Sequence, residues 1–332
     1  MLLELTIVII GALFIVLLAH LIISKSIHLS KHFNLSGTFV GMTILSIGTS
    51  LPEIMTHVIG SLQIIKNPQL LPGISALVIG TNIGSDIFQQ HFILGIIAII
   101  GGVYLAKKDL FPLMGGLLGG AVLLLLVGLN GSISRLEGLL LVIIYIIYLI
   151  YLKYHANFTR TKDLKKQNHI SAKKQLTKKE IASTTTILTF AFIAMAIVTN
   201  HVLKFSTVLL ENLNISASFF GIIVIGVAAA LPELTTALVA LHKKRHQMSV
   251  GVLIGSNITN PTFALGIGAA ISTYLVPKAV IIYDLPIKII GAIIILVLLL
   301  RFKKLKKEEG AIMLGIFILY LILRMIFFPV DI

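Results

Sequence analysis

Two glutamates, Glu53 and Glu233, each directly follow a proline inside an otherwise apolar stretch, and their neighbours match. Gly48–Glu53 reads GTSLPE and is followed by Gly84–Gln89, GSDIFQ; Gly226–Glu233 reads GVAAALPE and is followed by Gly255–Asn260, GSNITN. A carboxylate at membrane depth costs about 2.5–3.5 kcal/mol even on an insertion scale. Two such residues with repeated surroundings imply that the pair binds something, most simply a cation.

The prolines explain the glutamates' positions. Pro52 and Pro232 have no amide hydrogen, and their rings clash with the carbonyls four residues earlier, those of Gly48 and Ala228. A backbone carbonyl freed at membrane depth must find another partner or line a cavity. Beside a carboxylate it forms part of a hard-cation site, because Ca2+ takes roughly six to eight oxygens from carboxylates, carbonyls and water.

The second element of each copy is a polar stripe. Asn82, Ser85, Asp86 and Gln89 fall on one helix face, as do Ser256, Asn257 and Asn260. Gly80 and Gly84, and likewise Gly251 and Gly255, form GxxxG pairs that let helices approach closely. The expected site sets Thr49, Ser50, Glu53, Ser85 and Gln89 against Ala229, Ala230, Glu233, Ser256 and Asn260. Its two glutamates carry a formal charge of −2, which one Ca2+ or two monovalent cations neutralise. Mutually exclusive occupancy of one site by either ion set is the physical basis of antiport.

Such a site needs membrane-spanning helices to hold it. The chain has 332 residues, 57% hydrophobic and only 12% charged, with a mean hydropathy of +1.03. Apolar runs long enough to cross a bilayer as helices recur along its length. Ten spans are expected, at approximately 3–24, 35–62, 71–105, 110–129, 136–152, 181–205, 215–241, 250–275, 285–300 and 311–328. Alternate loops carry 21 of the 27 Lys and Arg residues, nine of them between Lys153 and Lys179. The other six, Lys66, Arg135, Lys204, Lys278, Lys288 and Arg324, are expected on the opposite side or near span ends. By the positive-inside rule the basic central loop is cytoplasmic and both termini are external. The net charge of +14 therefore reports membrane orientation, not nucleic acid. The first span reads as retained, not as a cleaved leader.

Glu53 and Glu233 are 180 positions apart, with the basic loop between them. Five spans precede that loop and five follow it, and an odd number inverts the second half. The expected fold is thus all-α and polytopic, with ten transmembrane helices in two inverted five-helix repeats. The divisions are 1–152, a basic linker over 153–180, and 181–332. Secondary transporters commonly use this construction, with the site at the repeat interface.

GTSLPE with GSDIFQ, and ALPE with GSNITN, resemble the two α-repeats of the cation/calcium exchanger superfamily, most closely its prokaryotic sodium/calcium exchangers. The resemblance extends over essentially the whole chain. It implies a cell-membrane exchanger in which Glu53 and Glu233 coordinate Ca2+ with help from backbone carbonyls. Hydroxyl and amide side chains would complete the sodium sites, and the first and sixth spans would slide across them as a gating pair. The chain departs from the family at several positions. Ala229 and Ala230 replace the hydroxyls of Thr49 and Ser50, Gln89 stands where asparagine is usual, and Asp86 adds an acid where GSN is usual.

These departures keep two couplings in view. GTSLPE favours Na+ as the counter-ion; the lost hydroxyls and the extra acid favour H+, with Asp86 and His57 as candidate proton or accessory positions. His57 also reads as a packing partner one helical turn after Glu53, and Arg324 as a residue that snorkels or pairs with a carbonyl. A cation channel is a rival from another class. An enzyme is not expected: there is no HExxH, no cysteine and no nucleophile–base pair at useful spacing. No cofactor is expected beyond the transported ions, and the expected partners are inorganic cations and the lipid bilayer.

Overall fold

The computed structural model describes residues 2–32, 46–103, 105, 107–163, 177–212, 216–242, 246–302 and 304–331. They form an all-α assembly. Among them, nine helices are long and apolar enough to cross a membrane. The expected second span begins outside the described residues; its later part is present as helices Ser46–Thr49 and Leu51–Lys66. Leu139, Leu140, Ile143, Ile147 and Ile150 all stand exposed on helix Arg135–Asp163. The polar and charged residues named below lie in the interior. This inside-out distribution suits hydrocarbon as the solvent.

Several boundaries differ from expectation. The fifth helix continues through the start of the basic segment to Asp163, and the next begins at Lys178. The eighth span ends at Ile271, because Tyr274–Leu275 pairs antiparallel with Ser132–Ile133 in a two-residue ribbon. Among the described residues, an isolated antiparallel bridge joins Val103 to Leu305.

Two helices form the centre. The first combines Leu71–Ile87, a π-helical turn at Phe88–Ile93, and Leu94–Gly101. The second combines His246–Thr259, a π-helical turn at Asn260–Ala264, and Leu265–Ile271. Pro261 removes one amide donor from the second of these turns. In the 18-residue apolar window of Ser249–Ile271, 89% of the residues are buried, against 17% in that of Lys178–Leu210, so the former is core and the latter peripheral.

Glycine sets the spacing in this centre. A Cβ on Gly80 would lie 2.1 Å from the Ser218 carbonyl oxygen, and one on Gly84 would lie 2.4 Å from Ile222 Cα. From the other side, a Cβ on Gly221 would lie 2.4 Å from the Leu77 carbonyl oxygen. The Leu71–Ile87 helix and the Ala217–Gly226 segment therefore touch backbone to backbone, which only glycine allows. Helices Leu2–His32 and Lys178–Asn212 pack along one another, and the former also contacts Ser46–Thr49 and Val227–Ala229.

Candidate functional site

Both motif helices break at the same place. The chain leaves helix Ser46–Thr49 at Ser50 (φ −78°, ψ 8°) and re-enters a helix at Leu51, with Pro52 in its first turn. It leaves Val227–Ala229 at Ala230 (φ −81°, ψ −1°) and re-enters at Leu231, before Pro232. Serine and alanine thus adopt one backbone conformation, dictated by the proline two residues ahead. Each break delivers a glutamate to the interior, and both carboxylates are fully buried.

Each glutamate is held by one serine of the facing stripe. Ser85 Oγ donates to Glu53 Oε1 at 2.5 Å, and Ser256 Oγ donates to Glu233 Oε1 at 3.0 Å. The serines are supported differently. Ser85 accepts from Gln89 Nε2 at 3.0 Å, whereas Ser256 lies 3.0 Å from Thr49 Oγ1. Ser256 gives its hydrogen to Glu233, so Thr49 offers its own hydrogen to Ser256 Oγ, in competition with the Ser46 carbonyl 3.2 Å away.

The amides are oriented by their acceptors. Asn257 donates to Gln89 Oε1 and to the Leu253 carbonyl, both at 3.0 Å. Asn82 donates to the Asn260 carbonyl at 2.9 Å and lies 3.0 Å from His57 Nε2. Asn260 donates to Asp86 Oδ1 at 2.8 Å. With every NH2 group so engaged, the amide oxygens are left over. Glu53 Oε2, Glu233 Oε2, Asn82 Oδ1, Asn257 Oδ1, Asn260 Oδ1 and Ser50 Oγ are buried without a hydrogen-bond partner. Buried polar atoms are almost always paired. These six atoms around the breaks are oxygens, which hard cations bind; further along the same central helix Gln90 Nε2 and Oε1 and His91 Nε2 are also buried without a hydrogen-bond partner.

The other expected residues are also in this layer or next to it. Ala229 and Ala230 are buried at the second break. His57 Nδ1 lies 3.2 Å from the Tyr274 hydroxyl, which itself donates to the His57 carbonyl at 3.0 Å. The hydroxyl's hydrogen is thereby used, so Nδ1 carries the ring proton and Nε2 accepts from Asn82. Asp86 is taken on both oxygens, by Asn260 and by the Lys288 ammonium.

Lys288 corrects an expectation. It lies near the start of helix Leu285–Phe302, as a residue near a span end would, yet it does not face outward: it is fully buried in an ion pair with Asp86. Its signal in the sequence was indirect: a third buried acid requires a countercharge, and Lys288 lies within an apolar span. Arg324 does bond a carbonyl, that of Phe328, but it does not snorkel. It is buried, bonds Asp284 at 3.1 Å and Ser218 at 2.7 Å, and Tyr320 donates to the same carboxylate at 2.9 Å. Ser46, Thr259 and Tyr145 were not foreseen either; their hydroxyls form a buried chain, with Thr259 Oγ1 3.0 Å from Ser46 and 2.9 Å from Tyr145.

A polytopic helical fold with two broken helices and buried carboxylates at the breaks defines a secondary transporter. The family model described as sodium/calcium exchanger protein matches residues 3–154 and 183–326, and the chain belongs to this family. It is 28% identical to the inner membrane protein YrbG of Escherichia coli, over 82% of this chain and 81% of that one. It is 23% identical to the sodium/calcium exchanger MaX1 of Methanosarcina acetivorans, over 95% and 97% of the two chains. The putative antiporter CaxA of Alkalimonas amylolytica is 24% identical over 94% of this chain and 96% of its own. Among solved structures, the sodium-calcium exchanger NCX_Mj superposes with a TM-score of 0.60, at 24% identity, covering 96% of this chain and 95% of the other.

Proposed function

We propose that this protein is an antiporter that exchanges Ca2+ for Na+ by alternating access, with Glu53 and Glu233 as the central cation ligands. The observation that carries this reading is the pair of buried glutamates, each with one oxygen fixed by a serine and the other free. Thr49, Ser50, Ser85, Ser256, Gln89 and Asn260 complete or position the donor set, and the carbonyls of Ala229 and Ala230 stand in for the hydroxyls present in the first copy. The layer is sealed, since Thr49, Ser50, Glu53, Ser85, Glu233, Ser256 and Asn260 are all fully buried, as the occluded intermediate of alternating access requires. Helices Leu2–His32 and Lys178–Asn212 are the gating pair, the former lying against both breaks.

Ten spans in two inverted repeats, 1–152 and 181–332, joined by the basic linker 153–180, complete the proposal. The Val103–Leu305 bridge and the Ser132–Ile133/Tyr274–Leu275 ribbon support it. Exchanging the two halves maps the third–fourth loop onto the eighth–ninth, and the ninth–tenth onto the fourth–fifth. One pairing thereby becomes the other, on the opposite side of the membrane. The basic linker is cytoplasmic and both termini external in this arrangement.

Proton coupling is the second reading. Its supporting observation is the loss of side-chain oxygen at Ala229 and Ala230, which leaves fewer ligands for monovalent metal ions. The test is radiocalcium uptake into liposomes containing the purified protein, driven by imposed Na+ or H+ gradients. Uptake that requires a sodium gradient supports the first reading; uptake driven by a pH gradient with sodium absent replaces it with the second. Flux that rises without saturation at channel-like rates rejects both.

A further inference from the structure

Lys288 has a carboxylate within easy local reach and does not use it. Asp284 lies four residues earlier on the same span, a spacing that pairs opposite charges on a helix surface. Asp284 is instead occupied by Arg324 and Tyr320, at the π-helical turn Val280–Asp284. Lys288 crosses to the central helix and binds Asp86, 202 positions away in sequence, next to the serine that holds Glu53. Both side chains are fully buried.

The pair is built into the cation layer. Asp86 Oδ1 accepts from Asn260, which fixes that amide and leaves its own oxygen free. The Asn260 backbone carbonyl in turn accepts from Asn82, and Asn82 leads to His57. Among the described residues the layer therefore contains three acids, Glu53, Glu233 and Asp86, and one ammonium, Lys288. Its formal charge is −2. Without the lysine it would be −3.

We propose that Lys288 is a resident cation: a tethered ammonium that supplies the charge a further mobile ion would otherwise provide. It sets the charge carried by the site at two, so that one divalent cation exchanges for two monovalent charges and the cycle moves no net charge. This inference rests on Glu53 and Glu233 being the cation ligands, and it deepens that reading by assigning a residue to the coupling ratio. An ammonium suits the role because it is compact, carries its charge at a point and reaches through a flexible apolar stem.

The experiment measures radiocalcium flux in proteoliposomes with the membrane potential clamped by potassium and valinomycin. The parent protein is expected to give a flux independent of potential. Lys288→Met should take up a third monovalent charge per calcium, giving a flux that follows the potential with one net charge per cycle. Asp86→Asn with Lys288→Met together should return the independence from potential, because the layer is again −2. A Lys288→Arg variant retains the charge and should remain independent as well.

If Lys288→Met is too poorly folded to transport, Asp86→Asn alone decides. It leaves the layer at −1, and half-saturating calcium should rise by about tenfold or more, as for an uncompensated buried charge. A parent flux that already moves one charge per calcium overturns the proposal. So does a Lys288→Met variant as insensitive to potential as the parent, or an Asp86→Asn variant with unchanged calcium affinity. Parallel Glu53→Gln and Glu233→Gln proteins separate the two inferences: calcium flux persisting in them at the parent rate removes the site reading itself, whereas its loss leaves only the role of Lys288 in question.

Discussion

Thr49 Oγ1 lies 3.0 Å from Ser256 Oγ, and this hydroxyl pair ties the first motif to the stripe of the second. The corresponding position on the other side, Ala229, has no hydroxyl to offer Ser85. Gln89 replaces it by reaching back one helical turn to the same serine oxygen. The two glutamates thus have equivalent supports built from different residues.

Loss of either support should therefore weaken calcium binding without abolishing it. Thr49→Val keeps the shape and removes the donor to Ser256; Gln89→Leu removes the donor to Ser85. A neutral hydrogen bond contributes about 1 kcal/mol net, equivalent to roughly fivefold in affinity. Each variant should raise half-saturating calcium by about that factor in flux assays. Unchanged values in both would mean that the serines are positioned without them.

The glutamates themselves should behave differently. Glu53→Gln and Glu233→Gln preserve volume and can still accept from Ser85 and Ser256, so the buried layer is expected to stay assembled. The missing charge leaves a divalent ion uncompensated, a loss of roughly a hundredfold or more in calcium affinity. Calorimetric titration of the purified proteins with CaCl2 measures this directly. Binding within tenfold of the parent by either variant would exclude that glutamate as a ligand.

Much of this layer is legible in the sequence because it repeats. A proline before a glutamate in an apolar stretch specifies both a broken helix and its contents, and the second copy removes coincidence. The stripe at helical spacing likewise places Ser85, Gln89, Ser256 and Asn260 on the faces they occupy. Lys288 has no such signature: a lone lysine in an apolar span has the same pattern whether it snorkels or pairs inward, and only its tertiary partner decides. The same holds for Arg324 and Asp284, 40 positions apart on different helices. The π-helical turns were also not legible, since a fifth-residue hydrogen bond leaves no mark on an apolar run.

The glycine contacts predict where bulk is forbidden. At Gly84 a methyl group would meet the backbone of Ile222, which cannot rotate away as a side chain can. Gly84→Ala should force the Leu71–Ile87 helix from the Ala217–Gly226 segment, at a cost of about 1–3 kcal/mol. By contrast, a Cβ on Gly119 meets nothing within 4 Å, and alanine there gains helix propensity. Melting of the detergent-solubilised proteins should show a lowered midpoint for Gly84→Ala and none for Gly119→Ala. Equal midpoints would mean that the two segments part without cost.

The Arg324–Asp284 pair predicts a stability effect separate from ion binding. Both side chains are buried, and the arginine also bonds Ser218 and the Phe328 carbonyl, so it joins helix Lys307–Phe327 to Ala217–Phe220 and to the turn Val280–Asp284. Arg324→Met leaves Asp284 with only the Tyr320 hydroxyl and should destabilise the protein by about 3–5 kcal/mol, the usual consequence of breaking one side of a buried pair. Removing the partner charge as well, in Arg324→Met with Asp284→Leu, should recover most of that loss, because apolar replacements of similar volume tolerate the interior. Thermal unfolding of the two variants tests the cycle. A double variant no more stable than the single one would show that the arginine's bonds to Ser218 and Phe328, rather than its charge, hold these helices together.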